Sequence, residues 1–192
     1  MKYIAAIAAL LCLAVAPAFA QETQVRMTFS GTAASSFLSL QQPNSSSDED
    51  NFAGGGSLGS FTLRNLRALP NSPSTSSTCS GPNQLFFTES AGGGIFRFQD
   101  GSLLYLTLIQ GNDCIDLSAG SAHCVLSFQV AGGTGHFKNA SGSLTMNETA
   151  VPVLSDALNN PVLYAATGQF TGTISGVTSG QDQQGEQQDG QQ

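Results

Sequence analysis

The residues best placed to do chemistry are Arg97, Tyr105 and Glu89, which lie in or just before the segment IFRFQDGSLLYLTLI at 95–109. Arg97 stands among apolar neighbours, and a guanidinium in such surroundings must either meet an acid or reach solvent. Glu89 can supply that acid in a structural ion pair, which is the preferred interpretation. Alternatively, Arg97 beside Tyr105 in an apolar lumen could orient a small hydrophobic or anionic ligand.

Two glycine-rich segments resemble cofactor sites but lack the required context. Gly54, Gly56 and Gly59 fit G-x-G-x-x-G, yet no parallel strand precedes them and no helix follows. The segment GGTGHFKN has no phosphate-loop lysine spacing, and turns that need positive φ explain its glycines. There is also no G-x-S-x-G elbow. We therefore predict no cofactor and assign no catalytic residue.

No metal site is predicted either. His123 and His136 share neither a helix face nor a spacing that suits zinc. Asp48, Glu49 and Asp50 form a short acidic run that lacks the alternating oxygens and the glycine of a calcium loop. A solvated loop tip is the preferred interpretation of this run.

Residues 1–20 have the pattern of a signal peptide: Lys2, an apolar run, and the small residues Ala18 and Ala20 before the expected cleavage. The apolar run is shorter than the roughly 20 residues that span a bilayer, so no membrane span is expected after cleavage. We predict a secreted or periplasmic protein that begins at Gln21.

Cleavage leaves three cysteines, and an exported chain is expected to oxidise two of them. Cys114 and Cys124 flank a turn centred on Ala119, which favours their pairing. Strand parity opposes it, so a bulge would be needed, and pairing of Cys79 with Cys114 stays open. The odd thiol also permits a disulfide-linked homo-oligomer.

The net charge of the chain argues against nucleic acid as a partner. Charged residues make up 10% of the chain, the net charge is −7, and the few basic residues are scattered. Cleavage leaves 172 of 192 residues, a length that suits one domain, which we place at 21–178. Composition predicts long surface loops near 41–57 and 70–84 and a disordered, acidic, Gln-rich tail over 179–192.

Between these loops apolar residues recur with a period of two, which is typical of half-buried strands. Examples are Val25, Met27 and Phe29 in one segment, and Leu144 and Met146 in another. No segment shows a helical period over three turns. The pattern predicts an all-β fold, a single antiparallel barrel, with a β-sandwich as the alternative.

Asp100-Gly101 predicts a two-residue hairpin turn. That turn places Phe98 opposite Leu103 and Phe96 opposite Tyr105. On the other face it places Arg97 opposite Leu104, and Ile95 opposite Leu106. Both faces of this hairpin are apolar, so both are expected to be covered.

The pattern GGTGxFxxAxGxLT at 132–145, followed by GQFTGTISG at 168–176, resembles bacterial secreted relatives of the allene oxide cyclase and dirigent-like barrels. The resemblance covers roughly residues 57–177 and implies a barrel fold, allene oxide cyclase-like or calycin-like. This chain has His136 where such sequences often carry Arg. No catalytic set of the plant cyclases or dirigent proteins can be placed on these residues, so the resemblance implies no activity.

The functional prediction is an exported, non-catalytic binding or structural module of the cell envelope or extracellular space. The alternative is a cyclase- or isomerase-like enzyme, or a carrier, acting on a small hydrophobic acid in the lumen. A lumen filled by Phe29, Leu126, Phe128, Met146 and Phe170 favours the first, and an open lumen lined by Arg97 and Tyr105 favours the second. Adhesion through the loops or a free Cys79 is a third hypothesis.

Overall fold

A computed structural model describes residues 22–36, 44–89 and 91–178. This part of the chain contains nine β-strands and one 3-10 turn, Gly135–Phe137, which lies between the seventh and eighth strands. The predicted leader at 1–20 and the predicted tail at 179–192 lie outside the described residues. In chain order the strands are β1 (Thr23–Ser36), β2 (Ser45–Gly56), β3 (Phe61–Pro70), β4 (Gln84–Glu89), β5 (Ala91–Phe98), β6 (Leu103–Asp116), β7 (Ser121–Gly133), β8 (Ser141–Ser155) and β9 (Pro161–Ser175).

Eight of these strands form a closed antiparallel barrel, as the sequence pattern predicts. The order β6-β5-β3-β2-β1-β9-β8-β7 is completed by pairing of β7 with β6. All of these pairs are antiparallel. Closure leaves no free sheet edge around the ring, because each barrel strand has a partner on both sides.

The ninth strand, β4, lies outside this ring and pairs with the far half of β6. It keeps the register of β5 along β6: Glu89 pairs with Gly111, and Gly93 pairs with Thr107. The pairing of β3 with β5 extends only to Ala68 and Ala91. Beyond that point the wall consists of the end of β3 on one side and β4 on the other.

The apolar core fills one end of the barrel. Phe170 lies at its centre, with ring centroids 5.2 Å from Phe29, 5.0 Å from Phe96 and 6.4 Å from Phe61. Phe137 of the 3-10 turn is also buried and packs on Phe98. The core takes inward side chains from all eight barrel strands: Val25, Met27, Phe29, Phe52, Phe61, Leu63, Phe96, Phe98, Leu104, Leu106, Leu126, Phe128, Val130, Leu144, Met146, Phe170 and Ile174.

The hairpin between β5 and β6 differs from the predicted register by one residue. Arg97 pairs with Leu103 and Phe96 with Leu104, because the loop has three residues and Phe98 N–H donates to the carbonyl of Ser102 at 2.9 Å. Gly101 takes the positive φ, 87°, that such a loop requires. A one-residue shift moves side chains to the opposite face.

The predicted long loop at 41–57 is wrong from Ser45 onward. Residues 45–56 form β2, which pairs with both β1 and β3. Its inward positions alternate as expected of a strand, but they carry Asp48 and Asp50 before Phe52, so no apolar period is visible. Residues 71–83 join β3 to β4 without a strand, close to the predicted loop at 70–84. No helix among the described residues is long and apolar enough to cross a membrane.

Candidate ligand-binding site

A buried ionic cluster lies above the apolar core, with Arg67 of β3 at its centre. Its Nη1 atom donates to Oε1 of Glu89 at 2.9 Å and to Oδ1 of Asp113 at 3.3 Å. On the other side, Nε lies 3.3 Å from Oδ2 of Asp50, and Asn65 donates to that same oxygen at 2.8 Å. The Arg67 side chain is only 3% exposed. Its charge is therefore balanced by protein groups and not by water.

Two further acids complete the cluster. Asp48 of β2 lies 3.9 Å from Nη2 of Arg67 and accepts a 2.6 Å hydrogen bond from Ser35. Glu148 of β8 is fully buried, with Oε2 3.7 Å from the same Nη2. Five carboxyl groups thus surround one guanidinium.

Strand alternation explains how these side chains come together. On β3 the inward positions continue from Leu63 through Asn65 and Arg67 to Leu69. Gly111 on β6 leaves room at the cluster, since a Cβ there would collide with the side chains of Glu89 and Leu126. The polar residues lie at the same alternating inward positions as the apolar core residues. They form the layer directly above the part of the lumen that the apolar core fills.

Burial sets the protonation of the cluster. It raises the pKa of Glu89 to about 9 and that of Glu148 to about 8, with the charge of Arg67 opposing both shifts. Burial also raises the pKa of Asp48 and Asp50 above the usual aspartate value. Burial alone would lower the pKa of Arg67, but Asp50 and Asp113 outweigh that effect and raise it well above its usual value. At neutral pH the two glutamates therefore hold protons, while Arg67 stays charged.

Above the cluster the barrel opens into a cavity of about 560 Å³. Its floor includes Asp48, Arg67, Asp113 and Cys124. Its wall is largely apolar and is formed by Leu69, Phe87, Ile115, Ala122, Ala150 and Tyr164. The turns after β6 and before β9 form the rim. A concave, apolar space ending on a few polar groups is the usual form of a small-molecule site.

Of the three residues assigned to a ligand site from the sequence, only Glu89 lies in the barrel interior. It is buried, and its ion-pair partner is Arg67, not Arg97. Arg97 is exposed on the outer wall, and Tyr105 lies half-buried there, opposite Ile95. The lumenal roles predicted for Arg97 and Tyr105 are wrong. Arg97 points outward because it alternates with the buried Phe96 and Phe98, and the one-residue register shift places Tyr105 on the same outer face.

On the outer wall, Tyr105 lines a second, shallow depression of about 550 Å³. Leu66, Ile95 and the glycines Gly93 and Gly94 also line it. This face was predicted to be covered, and Leu66 and Ile95 are about half exposed on it.

Sequence reasoning missed Arg67, Asn65, Asp50 and Asp113, and it placed Asp48 and Asp50 in a solvated loop tip. Both of these aspartates are instead in the cluster. One signal was available, since Glu148 shares the strand parity of Leu144 and Met146. A charged residue at an inward-facing strand position indicates a polar layer when neighbouring strands also carry charged residues at the same level of the barrel.

The disulfide joins Cys79 to Cys114, with a Cα–Cα distance of 5.7 Å, and Cys124 is a buried free thiol. The preferred pairing of Cys114 with Cys124 is wrong, and the alternative pairing is confirmed. In the β6–β7 register Cys114 lies opposite His123, and Cys124 lies opposite Asp113. Cys124 faces the lumen, where burial raises the pKa of its thiol well above the usual value.

The two histidines lie at opposite ends of the barrel. His123, near the rim, contacts the hydroxyl of Thr149 at 3.1 Å. His136, in the 3-10 turn, lies 2.8 Å from Asp100. Within the described ranges no group of three or more His, Cys, Asp or Glu side chains is arranged to hold a metal ion.

No protein-family model matches the sequence, and no curated protein matches it. Among solved structures, the chain is similar to a pterocarpan synthase dirigent protein at 11% identity, with a TM-score of 0.42. The similarity covers 83% of this chain and 87% of that one.

Proposed function

We propose that this protein is an exported barrel that binds a small, largely apolar molecule in its open end and does not transform it. The observation that carries the proposal is the 560 Å³ cavity, whose apolar wall ends on a polar floor. The core fills only the other end of the lumen. The space is large enough for a compact organic molecule.

Export rests on the leader pattern at 1–20 and is supported by the Cys79–Cys114 disulfide, since such bonds persist in oxidising compartments. The location is secreted or periplasmic. Homo-oligomerisation stays a prediction. Among the described cysteines, two are joined within the chain and Cys124 is buried, so no accessible thiol supports a disulfide-linked dimer or adhesion through Cys79.

The experiment is a titration of the chain from Gln21 with 2-phenylethanol, followed in ¹H–¹⁵N spectra. We expect saturable shifts at the cavity wall, around Ala122 and Ala150. Ala122→Phe fills the cavity and should abolish them. Val125→Phe adds the same ring to the outer face of the same strand, where Val125 is exposed, and should leave binding intact.

Shifts that are absent, or that survive Ala122→Phe, would overturn lumenal binding of this probe. Shifts confined to the outer wall would instead point to the depression around Tyr105.

An enzyme of the cyclase or isomerase type is the second candidate. Its proposed anion anchor, Arg97, lies outside the lumen. One observation still favours chemistry, because the carboxyl group of Asp48 lines the cavity, where it can exchange a proton with a bound molecule. Under this function a bound molecule is recovered altered from the wild type and unaltered from Asp48→Asn. Unaltered recovery from both proteins supports binding alone.

A further inference from the structure

The guanidinium of Arg67 is already surrounded by carboxylate oxygens that the protein supplies. Nη1 faces Glu89 and Asp113 at 2.9 and 3.3 Å, Nη2 lies 3.5 Å from Oδ1 of Asp50, and Nε lies 3.3 Å from Oδ2 of Asp50. Each of its three nitrogens is thus within 3.5 Å of a carboxylate oxygen. An incoming carboxylate would have to displace an acid that the protein already supplies.

The cluster holds buried polar atoms that have no hydrogen-bond partner among the described residues. They are both side-chain oxygens of Glu148, Oε2 of Glu89, Oδ1 of Asn65 and Nε of Arg67. Glu148 is only 1% exposed and points at the cluster, where its closest cation, Nη2 of Arg67, lies at 3.7 Å, beyond hydrogen-bond distance. Four of these five atoms are oxygens, and five carboxyl groups share one guanidinium, so this layer accommodates an added cation better than an added carboxylate.

The excess of carboxyl groups over cationic groups reaches the cavity floor. Asp48 and Asp113 both line the cavity. Asp48 has one short hydrogen bond, from Ser35, and its contact with Arg67 is long, at 3.9 Å. Besides the two glutamates, three aspartate side chains lie around the one guanidinium. The other titratable groups that line the cavity are Tyr164, Cys124 and Asp116, and none of them brings a positive charge.

We propose that the cavity selects an organic molecule whose apolar body ends in a protonated amine, which binds Asp48 and Asp113 and is preferred over a carboxylate of the same shape. This inference rests on the proposed function and deepens it. It opposes the hydrophobic acid expected from the sequence. An organic cation fits better than a metal ion, because the cavity wall is apolar and the described carboxylates are not arranged as metal ligands.

The test compares three probes with one aromatic body: 2-phenylethylamine, 2-phenylethanol and phenylacetate. Each is titrated at neutral pH into the chain from Gln21 and followed by ¹H–¹⁵N shifts at the cavity. We expect the amine to bind at least about tenfold more tightly than the acid, with the alcohol between them.

Asp48→Asn removes one floor charge at nearly constant shape. It should weaken binding of the amine about tenfold, and it should change the affinity for the alcohol by less than about twofold. Glu49→Gln is the matched control, since it removes a carboxylate from the adjacent residue, whose side chain is 43% exposed and pairs with Arg64 outside the barrel. This variant should leave all three affinities unchanged.

The outcomes separate the two proposals. If the alcohol binds in the cavity and the acid binds as well as the amine, the amine preference is wrong and the proposed function stands. If the amine binds but neither Asp48→Asn nor Asp113→Asn weakens it, the amine is held elsewhere and the inference is also wrong. If no probe shifts the cavity residues, both proposals fail for this ligand class.

Discussion

Nη1 of Arg67 on β3 lies 2.9 Å from Oε1 of Glu89 on β4, although 22 residues separate them in the chain. Both side chains are buried. They meet where the pairing of β3 with β5 ends and β4 continues the wall. This hydrogen bond therefore lies at the change from the filled to the open part of the lumen.

Replacing Arg67 should be the most damaging charge substitution in the barrel. Arg67→Met leaves five carboxyl groups around an uncharged side chain, and breaking a buried ion pair from one side costs about 3–5 kcal/mol. Urea unfolding followed by circular dichroism measures the loss. Arg64→Met is the control, because the Arg64 side chain on the same strand is 75% exposed. Its substitution should lower the free energy of unfolding by less than about 1 kcal/mol. Equal losses in the two variants would contradict the central role of Arg67.

The stability of the fold should fall as pH rises from about 5 to 9. The pKa values of Glu89 and Glu148 are raised by burial from 4.5 to about 9 and about 8, so in this range the folded chain holds protons that the unfolded chain releases. A difference of one pKa unit between the folded and the unfolded chain corresponds to about 1.4 kcal/mol of stability. A loss of that size lowers Tm by roughly 3–5 °C in a domain of this size. Thermal unfolding at a series of pH values measures the slope.

Glu148→Gln should flatten this pH dependence, because the amide cannot ionise. Glu49→Gln should keep the wild-type slope, since that side chain lies outside the lumen. A wild-type Tm that is constant or rises between pH 5 and 9 would contradict the protonation assigned to the cluster.

The Cys79–Cys114 disulfide should contribute substantially to stability. It joins residues 35 apart and ties the segment between β3 and β4 to β6. Loop-closure entropy for that separation corresponds to about 3–4 kcal/mol. The double variant Cys79→Ser, Cys114→Ser should lose that amount in urea unfolding. Cys124→Ser, which removes the unpaired thiol, is the comparison.

Peptide mapping under non-reducing conditions checks the pairing directly. We expect a linked Cys79–Cys114 peptide and alkylation of Cys124 only after unfolding, since that thiol is buried. A Cys114–Cys124 peptide would contradict the register of β6 and β7.

Arg97→Ala should change neither stability nor ligand affinity appreciably. Arg97 is exposed on the outer wall, and exposed substitutions usually stay within about 0.5 kcal/mol. The probe titrations and urea unfolding measure both quantities. A loss of amine or alcohol binding in this variant would show that Arg97 reaches the ligand and that the outward register is wrong.

Part of the fold could be predicted because alternation is a local property. Met27, Phe128, Met146 and Phe170 were placed inside from a period of two, and all four are buried. β2 was missed because its inward positions carry acids, which resemble loop residues when the strand is considered alone. The hairpin was found but misregistered, because Asp100-Gly101 fits a two-residue turn as well as the three-residue loop that forms.

The candidate site was out of reach for a different reason. Its charged residues come from five different strands: Asp50, Arg67, Glu89, Asp113 and Glu148. The burial of each one makes sense only beside the others, because the carboxyl groups surround the guanidinium. Alone, Glu89 was a plausible partner for Arg97. In the barrel Arg97 alternates with the buried Phe96 and Phe98 and lies on the outer wall, away from Glu89.

The sequence by itself determined that the fold is all-β and favoured a barrel over a sandwich, since side-chain alternation depends only on neighbouring residues along each strand. It also placed inward the apolar residues of strands with a clear period of two, such as Met27 and Met146. Only the tertiary structure decided which polar residues share a layer, which cysteines pair and which end of the lumen stays open. These features depend on strand register and ring closure, and both are set by contacts between residues far apart in the chain.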